Sequence, residues 1–299
     1  MSTAAITKLQ QRGGMPRRQH GMALIVVLWL VVLLSIMATG HSRNAHTDVT
    51  LASRQVESAK ARALAEAGIN HVILEMLADN SDAELPVDAS VFAINIHDNV
   101  ITLAIRDATG LVDLNAANPD LLGAALHACG VEESKERELV DAILDWRDKD
   151  DLAHLHGIED DDYLAAGVPW TSRDGAFESI DELRYLPGMS QALFDRLAPL
   201  VTVHSRSGKL NLEYAPPALI TALTGDIVQP ATPNGAERKT GGARNGTYHI
   251  YSSAAGGSGT IAAIEAVVTI SRSSKFPFTV LDWREPPRAE FPPRAGDPG

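Results

Sequence analysis

Residues 22–40 read MALIVVLWLVVLLSIMATG, and this uncharged stretch of nineteen residues decides how the rest of the sequence is interpreted. An α-helix rises about 1.5 Å per residue, so the stretch spans roughly 28 Å, close to the hydrocarbon thickness of a bilayer. Arg17 and Arg18 stand shortly before it. Because positively charged flanks stay in the cytoplasm, the pattern predicts a transmembrane helix that places the remaining chain across the membrane.

Composition and charge exclude several classes of protein. The chain has 299 residues, 45% of them apolar, which is enough for a sizeable core. Cys129 is the only cysteine, so no disulfide framework can form within the chain. The net charge is −12, and because residues 1–21 carry +4, the remainder carries −16, which disfavours binding of nucleic acid. The sequence lacks HExxH, GxSxG and P-loop motifs, and we expect no enzyme.

The residues around the apolar stretch leave three processing outcomes open. The stretch can remain as an uncleaved anchor, or it can be a secretory signal cut after the small residues at 38–40. Alternatively, the cut falls between Gly21 and Met22, because residues 17–26, RRQHGMALIV, resemble the leader of type IV prepilins. Such leaders end in glycine and are removed by a prepilin peptidase on the cytoplasmic side. The mature chain then keeps its apolar helix as an anchor and polymerisation stem.

The helix is predicted to continue well beyond the apolar stretch. Small and apolar residues recur every three or four positions after residue 41, whereas charged residues such as Arg54 and Glu66 lie off this stripe. This spacing is typical of one face of an amphipathic helix that packs closely against a sheet or another helix. The predicted stripe consists of Ala45, Val49, Ala52, Val56, Ala59, Ala63 and Ala67.

The soluble region is predicted to be α+β, an antiparallel sheet into which a helical block is inserted. Residues 91–105 alternate between apolar and polar on either side of Asp98-Asn99, which predicts a hairpin. Between the early and late strands the composition favours helices, and residues 225–246 have the composition of a flexible loop. The later runs of strand character are residues 200–204, 247–253, 261–270 and 276–282.

An internal repeat connects the two ends of the helical block. Residues 110–121, GLVDLNAANPDL, recur as residues 208–219, GKLNLEYAPPAL, with glycine, leucine, alanine, proline and leucine at equivalent places. Each copy predicts the end of a strand followed by a helix whose early proline suits the first turn.

Residues 177–189, FESIDELRYLPGM, are similar to part of a helix-hairpin-helix. Ser179 is placed to cap the helix with Glu182 as its capping-box partner, and Gly188 supplies a tight turn. Such units often hold DNA phosphates, so an envelope-anchored DNA-binding protein is one alternative. The acidic residues around the segment disfavour it, because a negative surface repels phosphate.

Residues 145–162 concentrate eight carboxylates, opposed only by Arg147 and Lys149. So many like charges destabilise a fold unless they are solvated or neutralised by a hard cation, and both interpretations fit the pattern. The nearby His154 and His156 could bind a transition metal, but they are interpreted as surface residues. The tryptophans interpreted as core or interface anchors are Trp146, Trp170 and Trp283.

Together these motifs resemble the minor pseudopilin K family of type II secretion systems, also called general secretion pathway protein K. The resemblance rests on the prepilin-like leader, the repeated joints, residues 141–150 (DAILDWRDKD) and residues 177–189, and it covers most of residues 21–282. It implies a pilin-like long N-terminal helix packed on an antiparallel sheet, with a large helix-hairpin-helix or SAM-like insertion. The implied partners are the minor pseudopilins I and J, other pseudopilins, the prepilin peptidase and the inner membrane, with no nucleic acid.

The resemblance also implies a function. The protein is expected to span the inner membrane once, with the bulk of the chain in the periplasm and a methylated N-terminus, and to initiate or cap the pseudopilus that exports folded proteins across the outer membrane. Most pilin-like proteins carry at the fifth mature position a glutamate that pairs with a neighbouring subunit, but here that position is Val26. A subunit without this carboxylate suits the end of a filament. A minor pilin of a type IV pilus remains an alternative.

A calcium site follows from the same resemblance, because the acidic loop is similar to that of family members that can bind calcium. Calcium takes six to eight oxygen ligands, which carboxylates and backbone carbonyls of the loop can supply in part. The spacing departs from an EF-hand. The predicted ligands are Asp145, Asp148, Asp150, Glu159 and Asp160.

The predicted boundaries follow from these segments. The N-terminal part comprises a prepilin leader at residues 1–21, a transmembrane helix at 22–40 and its amphipathic continuation at 41–84. The remaining parts are a pilin-like sheet domain at 85–115 and 198–283, the helical insertion at 116–197 and a disordered tail at 284–299.

Overall fold

The computed structural model describes residues 20–78, 85–165, 167–225, 245–257 and 259–286, and at residues 20–22, 38–49 and 161 it describes the backbone alone. The chain divides into two compact units, Met1–Gln55 and Val56–Gly299. Most of the predicted leader, most of the predicted loop 225–246 and residues 287–299 of the predicted tail lie outside the described residues.

A single helix, α1, runs from His20 to Leu77. In the first unit its large apolar side chains between Leu24 and Met37 are exposed. In the part of the chain that the structure describes, no helix combines the length and the apolar character that a membrane crossing requires. The membrane span at residues 22–40 therefore stays a prediction.

Within the second unit, α1 packs through a face that differs from the predicted one. Ala61, Ala65 and Ile69 are fully buried, whereas Ala59 and Ala63 of the predicted stripe are exposed. The prediction was wrong because it gave every alanine the same weight. Larger aliphatic side chains near the end of the helix bury more apolar area, and they set its rotation. These side chains are Ile69, Val72, Ile73 and Met76.

Among the described residues, five strands form one antiparallel sheet in the order β1-β2-β5-β6-β7. The predicted hairpin is confirmed, because Ile96 and Asn99 pair across a two-residue turn, but the turn is His97-Asp98 and not the predicted Asp98-Asn99. Core side chains of α1 and of the sheet, such as Ile69 and Ile264, form one hydrophobic cluster. The strands of the sheet are β1 Asp88–Ile96, β2 Asn99–Asp107, β5 Gly246–Ala255, β6 Ile261–Ile270 and β7 Phe278–Arg284.

A second hydrophobic cluster belongs to the helical region. It gathers side chains from Val112 to Leu219 and so extends on both sides of the predicted insertion at 116–197. Strand β3, Val112–Asp113, pairs in parallel with β4, Val201–Thr202. The prediction that residues 200–204 extend the antiparallel sheet was therefore wrong, because this strand is buried in the helical cluster. The helices are α2 Pro119–Ala128, α3 Glu133–Arg147, α4 Asp160–Ala165, α5 Gln191–Leu197 and α6 Pro217–Thr224.

The internal repeat is a structural repeat at its turns. Asp113 Oδ1 accepts the N–H of Asn115 (2.9 Å), and the equivalent Asn211 Oδ1 accepts the N–H of Glu213 (3.0 Å). Both copies start their helix with a proline in the first turn, as predicted. Only the first copy contains a strand, because residues 209–211 form no strand.

The two copies also approach each other reciprocally. A Cβ atom at Gly110 would lie 2.3 Å from the carbonyl oxygen of Tyr214, and one at Gly208 would lie 2.7 Å from the carbonyl oxygen of Ala116. Each repeat glycine therefore faces the seventh residue of the other copy. This close packing explains why both copies begin with glycine.

Candidate metal centre

The acidic segment starts at the end of α3 and continues through the loop before α4. The end of α3 is fixed by Arg147, whose guanidinium donates to the carbonyl oxygens of Leu114 (2.6 Å) and Ala117 (2.9 Å). These bonds attach α3 to the turn of the first repeat copy. Arg147, one of the two cations expected to oppose the acidic charges, therefore also holds α3 against this turn.

Asp145 organises the loop that follows α3. Its carboxylate is fully buried and accepts the backbone N–H groups of His154 (3.1 Å) and Ile158 (2.7 Å). Nδ1 of His154 contacts the same carboxylate, and this hydrogen bond raises the pKa of His154. At Gly157 a Cβ atom would lie 1.7 Å from Asp145 Oδ2. The loop therefore passes the carboxylate at a distance that glycine alone permits.

Among the described residues, Asp145, Asp148 and His154 form the first of two groups whose ligand atoms lie within 4.8 Å of one another. Asp148 Oδ1 is buried and has no hydrogen-bond partner among the described residues. Burial, followed by the charge of Asp150, raises the pKa of Asp148. Calcium prefers oxygen ligands, whereas imidazole suits transition metals, so only the two carboxylates of this group match a calcium ion.

Glu159, Asp160 and Asp174 form the second group, and every ligand atom in it is a carboxylate oxygen. Glu159 is 8% exposed, and its Oε1 has no hydrogen-bond partner in the described part of the chain. Burial, followed by the charge of Asp145, raises the pKa of Glu159 to about 7. The buried hydroxyl of Tyr163 also lacks a described partner. A bound cation would stabilise the ionised carboxylate of Glu159, which burial and the neighbouring carboxylates destabilise. The carboxylate oxygens of this group therefore fit a hard cation.

The structure divides the predicted ligands between these groups. Asp145 and Asp148 belong to the first group, and Glu159 and Asp160 belong to the second. Asp150 belongs to neither, and its carboxylate accepts the N–H of the nearby Leu152 at 3.1 Å. The ligand atoms of the five predicted residues therefore do not all lie within 4.8 Å of one another, and calcium binding stays a prediction.

Sequence reasoning missed two members of the groups. His154 was interpreted as a surface residue, and although 43% of its side chain is exposed, its ring nitrogen contacts Asp145. Asp174 lies well outside the predicted acidic segment. Its sequence signal is the Asp-Gly pair with Gly175, typical of a turn, and its φ of +53° confirms a left-handed backbone there.

The helix-hairpin-helix segment has the predicted local structure. Ser179 and Glu182 form the capping box, although the helix they start, Ile180–Tyr185, is a 3-10 helix. Gly188 has a φ of +84° and makes the predicted turn. Glu182 also accepts the indole N–H of Trp146 (3.1 Å), which attaches the segment to α3 and confirms Trp146 as a core anchor.

The basic side chains of this segment are engaged within the protein. Arg184 pairs with Asp181 at 3.2 Å, and its guanidinium carbon lies 3.7 Å from the centre of the Phe194 ring. Arg196 donates to the carbonyl oxygen of Cys129 at 3.1 Å. Because DNA binding depends on cations that neutralise phosphates, this geometry does not favour the DNA-binding alternative.

Similarity to known proteins distinguishes among the remaining alternatives. The sequence model of the type II secretion system (T2SS) protein K matches residues 99–206, and that of the PilX N-terminal region matches residues 20–70. The chain is 29% identical over 210 residues to the type II secretion system protein K of Aeromonas hydrophila, and 28% identical over 210 residues to that of Klebsiella pneumoniae. The chain is therefore similar to the type II secretion system protein K over its middle part.

The match with these relatives covers only part of each chain. The match with the Aeromonas and Klebsiella proteins covers 62% of this chain and 63% of each relative, which is less than two thirds of their length. With the type II secretion system protein K of Pseudomonas aeruginosa, the identity is 25% over 234 residues, covering 70% of this chain and 69% of the relative.

A solved structure has a similar fold. The chain is similar to one chain of the crystal structure of the GspK-GspI-GspJ complex from the type 2 secretion system of enterotoxigenic Escherichia coli. The TM-score is 0.52 at 18% identity, covering 82% of this chain and 99% of that chain. At this identity the likeness shows the fold, and it confirms the predicted α+β class.

Proposed function

We propose that this chain is a protein K, a minor pseudopilin of the type II secretion system, anchored in the inner membrane with its second unit in the periplasm. The observation that carries the proposal is the match of residues 99–206 to the protein K model. The match of residues 20–70 to the PilX N-terminal model supports a pilin-type stem. Exposed apolar side chains between Leu24 and Met37 suit contact with lipid and with the stems of neighbouring subunits.

The proposed place of the protein is the tip of the pseudopilus, where it initiates or caps assembly and so supports export of folded proteins across the outer membrane. Val26 stands where most pilin-like subunits carry the glutamate that contacts a neighbour, so this chain suits a terminal position. The proposed partners are the minor pseudopilins I and J. A GspK-GspI-GspJ complex contains a chain of the same fold, and this supports the choice of partners.

The mature N-terminus tests the anchor. We expect mass spectrometry of the full chain, purified from bacterial membranes that contain a prepilin peptidase, to find cleavage between Gly21 and Met22 and methylation of Met22. A mature chain that starts at His41 has lost the stem, and this result overturns the proposal.

Association tests the role in assembly. The full chain in detergent should co-purify with minor pseudopilins I and J when the three are produced together. It should give no mobility shift with duplex DNA at moderate salt. Failure to associate with either pseudopilin contradicts the tip assignment, and a DNA shift revives the nucleic-acid alternative.

The acidic groups are proposed to hold calcium for a structural purpose. The second group, Glu159, Asp160 and Asp174, would supply carboxylate oxygens, and the first would add Asp145 and Asp148. A bound cation would offset the repulsion among these carboxylates and link the loop after α3 to α4. This proposal is supported by the buried Glu159 and Asp148 oxygens that lack described partners.

Calcium titration of the full chain in detergent tests this proposal. Calcium at a hundred times its Kd should stabilise the folded state by about 2.7 kcal/mol, seen as a rise in Tm that a chelator reverses. Asp174→Asn should abolish the rise, whereas Asp150→Asn is a matched control outside both groups and should keep it. An unchanged Tm of the wild-type chain, or equal loss in both variants, contradicts the proposal.

A further inference from the structure

The helical region meets the sheet through a buried polar contact at His249 of β5. Tyr248 and Ile250 on either side of it belong to the cluster under α1, so His249 points to the opposite face of the sheet. There Nε2 of His249 lies 3.2 Å from Oγ1 of Thr202 in β4, and Nδ1 lies 3.2 Å from Oε1 of Glu265 in β6. His249, Thr202 and Glu265 are 7%, 0% and 2% exposed. Because buried polar atoms are costly unless they are hydrogen-bonded, this contact depends on where its protons lie.

The partners of His249 determine which of its nitrogens carries the proton. Burial raises the pKa of Glu265, but the hydrogen bond from His249 and the charge of Arg284 outweigh it, so this pKa is lowered. An ionised carboxylate can only accept, and Nδ1 of His249 must therefore donate to it. In the neutral ring Nε2 then accepts from the hydroxyl of Thr202, whose oxygen accepts the backbone N–H of His204 at 3.2 Å. All these atoms are satisfied when His249 is neutral.

Protonation of His249 reverses its bond to Thr202. Both nitrogens of an imidazolium ring donate, so Oγ1 of Thr202 has to accept from Nε2 in addition to the N–H of His204. The hydroxyl proton of Thr202 then needs an acceptor of its own. In the described part of the chain Thr202 makes no further side-chain hydrogen bond, and it is fully buried. A buried donor without a partner destabilises the contact.

His204 adds a second ring to the same contact from the side of the helical region. The centre of its ring lies 6.4 Å from that of His249. Burial, followed by the charge of His249, lowers the pKa of His204. Two imidazolium rings at this distance repel each other, so a proton on one ring disfavours a proton on the other.

The charged groups around His204 oppose one another. Asp282 of β7 and Asp113 of β3 favour the protonated ring, whereas Arg206 disfavours it. Asp113 is already engaged, because it accepts the N–H of Arg206 at 2.7 Å and the hydroxyl of Ser205 at 2.9 Å. Burial and His249 outweigh the two carboxylates, so the neutral form of His204 fits the closed contact.

The charged groups around His249 also include both signs. Glu265 favours the protonated ring, but Nε of Arg284 donates to Glu265 at 2.6 Å and offsets its charge. Arg106 of β2 is paired with His249 across the sheet and disfavours a second positive charge. The remaining titratable groups nearby are Tyr251, which is hydrogen-bonded to Glu265, and Glu178 and Asp181 of the helical region, which line a cavity of about 240 Å³ beside both rings.

We propose that His204 and His249 form a proton-sensitive latch, which holds the helical region on the sheet while both rings are neutral and releases it when both are protonated. The inference does not depend on the proposed function. A second cavity, of about 560 Å³, adjoins the first and shares Asp181, Glu265 and Arg284 with it. Because these cavities leave the boundary incompletely filled, the polar contact carries much of the attachment there.

The direction of the pH dependence follows from the lowered pKa of His204. An unperturbed histidine has a pKa of about 6.5, so below this pH the open contact binds more protons than the closed one. The latch is therefore at full strength above about pH 6.5 and weakens as the pH falls below it.

Hydrogen exchange followed by mass spectrometry tests the latch. The full chain in detergent, with chelator present, is measured at pH 7.5 and pH 5.0, and each rate is divided by the intrinsic amide rate at that pH. In residues 199–206 the corrected rate should rise at least about ten-fold at pH 5.0, the ratio for a pKa that differs by one unit between closed and open contacts. Residues 61–77 of α1 are the internal reference and should not show this rise.

His204→Asn removes one of the two facing charges and should abolish most of the rise. His97→Asn is the matched control, because His97 is exposed in the hairpin turn, and it should keep the rise. Equal corrected rates of the wild-type chain at both pH values overturn the latch. An equal rise in the two variants overturns it as well.

A titration of the wild-type chain provides an independent measurement if His204→Asn lowers the Tm at pH 7.5. Nuclear magnetic resonance of the histidine ring carbons in the full chain, assigned with the two variants, should show that His204 titrates below pH 6.5. Titration of His204 at or above this value overturns the latch, because protonation would then not oppose the closed contact.

Discussion

Within the acidic region, Gly157 is the position where adding a methyl group should destabilise the folded state most. In Gly157→Ala the new Cβ would meet Asp145 Oδ2 at 1.7 Å and displace the loop whose N–H groups satisfy that buried carboxylate. We expect the free energy of unfolding to fall by about 2–4 kcal/mol, measured by chemical denaturation of the full chain in detergent.

Gly175→Ala is the matched control. A Cβ at Gly175 would meet nothing closer than 3.8 Å, and the residue belongs to the same region of the chain. This variant should unfold within about 0.5 kcal/mol of the wild-type chain. If both variants unfold alike, the loop does not depend on its approach to Asp145.

Glu159 makes the stability of the metal-free protein depend on pH. Its pKa is raised to about 7 in the folded state, so between pH 4.5 and about 7 the folded chain binds more protons than the unfolded chain. Stability contributed by the neutral form is therefore lost as pH rises through this window. In chelator, Glu159→Gln should raise the Tm relative to the wild-type chain at pH 8 and change it little at pH 4.5.

Glu159→Asp is a control that keeps the charge and should not reproduce the gain at pH 8. Thermal melts at several pH values measure all three proteins. A wild-type Tm equal to that of Glu159→Gln at pH 8 contradicts the shifted pKa.

Contacts in the helical region and its acidic loop were predictable only where the partners are close in sequence. The capping box of Ser179 and Glu182 and the turn at Gly188 are local, and both were predicted correctly. Asp174 joins Glu159 through the folding of the intervening chain, so no spacing rule identifies it. Asp150 has the expected residue type and position, but the loop places it outside both groups.

At the scale of elements, the rotation of α1 about its axis is the feature that the sequence pattern misjudged. Ala65 is fully buried and Ala59 is exposed, although both are alanines on an amphipathic helix. Ala65→Leu should therefore overpack the contact between helix and sheet and lower the free energy of unfolding by about 1–3 kcal/mol. Ala59→Leu has the same change in helix propensity and should cost less than about 0.5 kcal/mol.

Chemical denaturation of the full chain distinguishes these two variants. A larger loss of unfolding free energy for Ala59→Leu than for Ala65→Leu restores the predicted stripe as the buried face.

The positions of the predicted elements agree better with the structure than the predicted face of α1 does. The hairpin, the two proline-started helices and the strands predicted at 247–253, 261–270 and 276–282 all exist, because periodicity and turn residues are local signals.

At the scale of the whole molecule, the two hydrophobic clusters suggest two regions of separate local stability. The helical cluster spans Val112 to Leu219, and the other joins α1 to the sheet. Cooperative regions of this kind open independently when a substitution affects only one of them. Gly157→Ala should therefore accelerate amide hydrogen exchange in α2 and α3 and leave β5 and β6 unchanged, whereas Ala65→Leu should do the reverse.

Hydrogen exchange followed by mass spectrometry measures both variants against the wild-type chain. Uniform acceleration in both clusters by either variant indicates a single cooperative unit. The polar contacts between the clusters, such as His249 with Thr202, would then be strong enough to couple them.

The sequence by itself determined the order of most elements and the fold class, because apolar periodicity, caps and turns act over a few residues. It also located the acidic segment. Only the tertiary structure decided which face of α1 is buried, which carboxylates lie together and which histidines meet between the sheet and the helical region. These features depend on how much area distant side chains bury against each other and on which charges folding brings within a few ångströms, and neither quantity is encoded in local spacing.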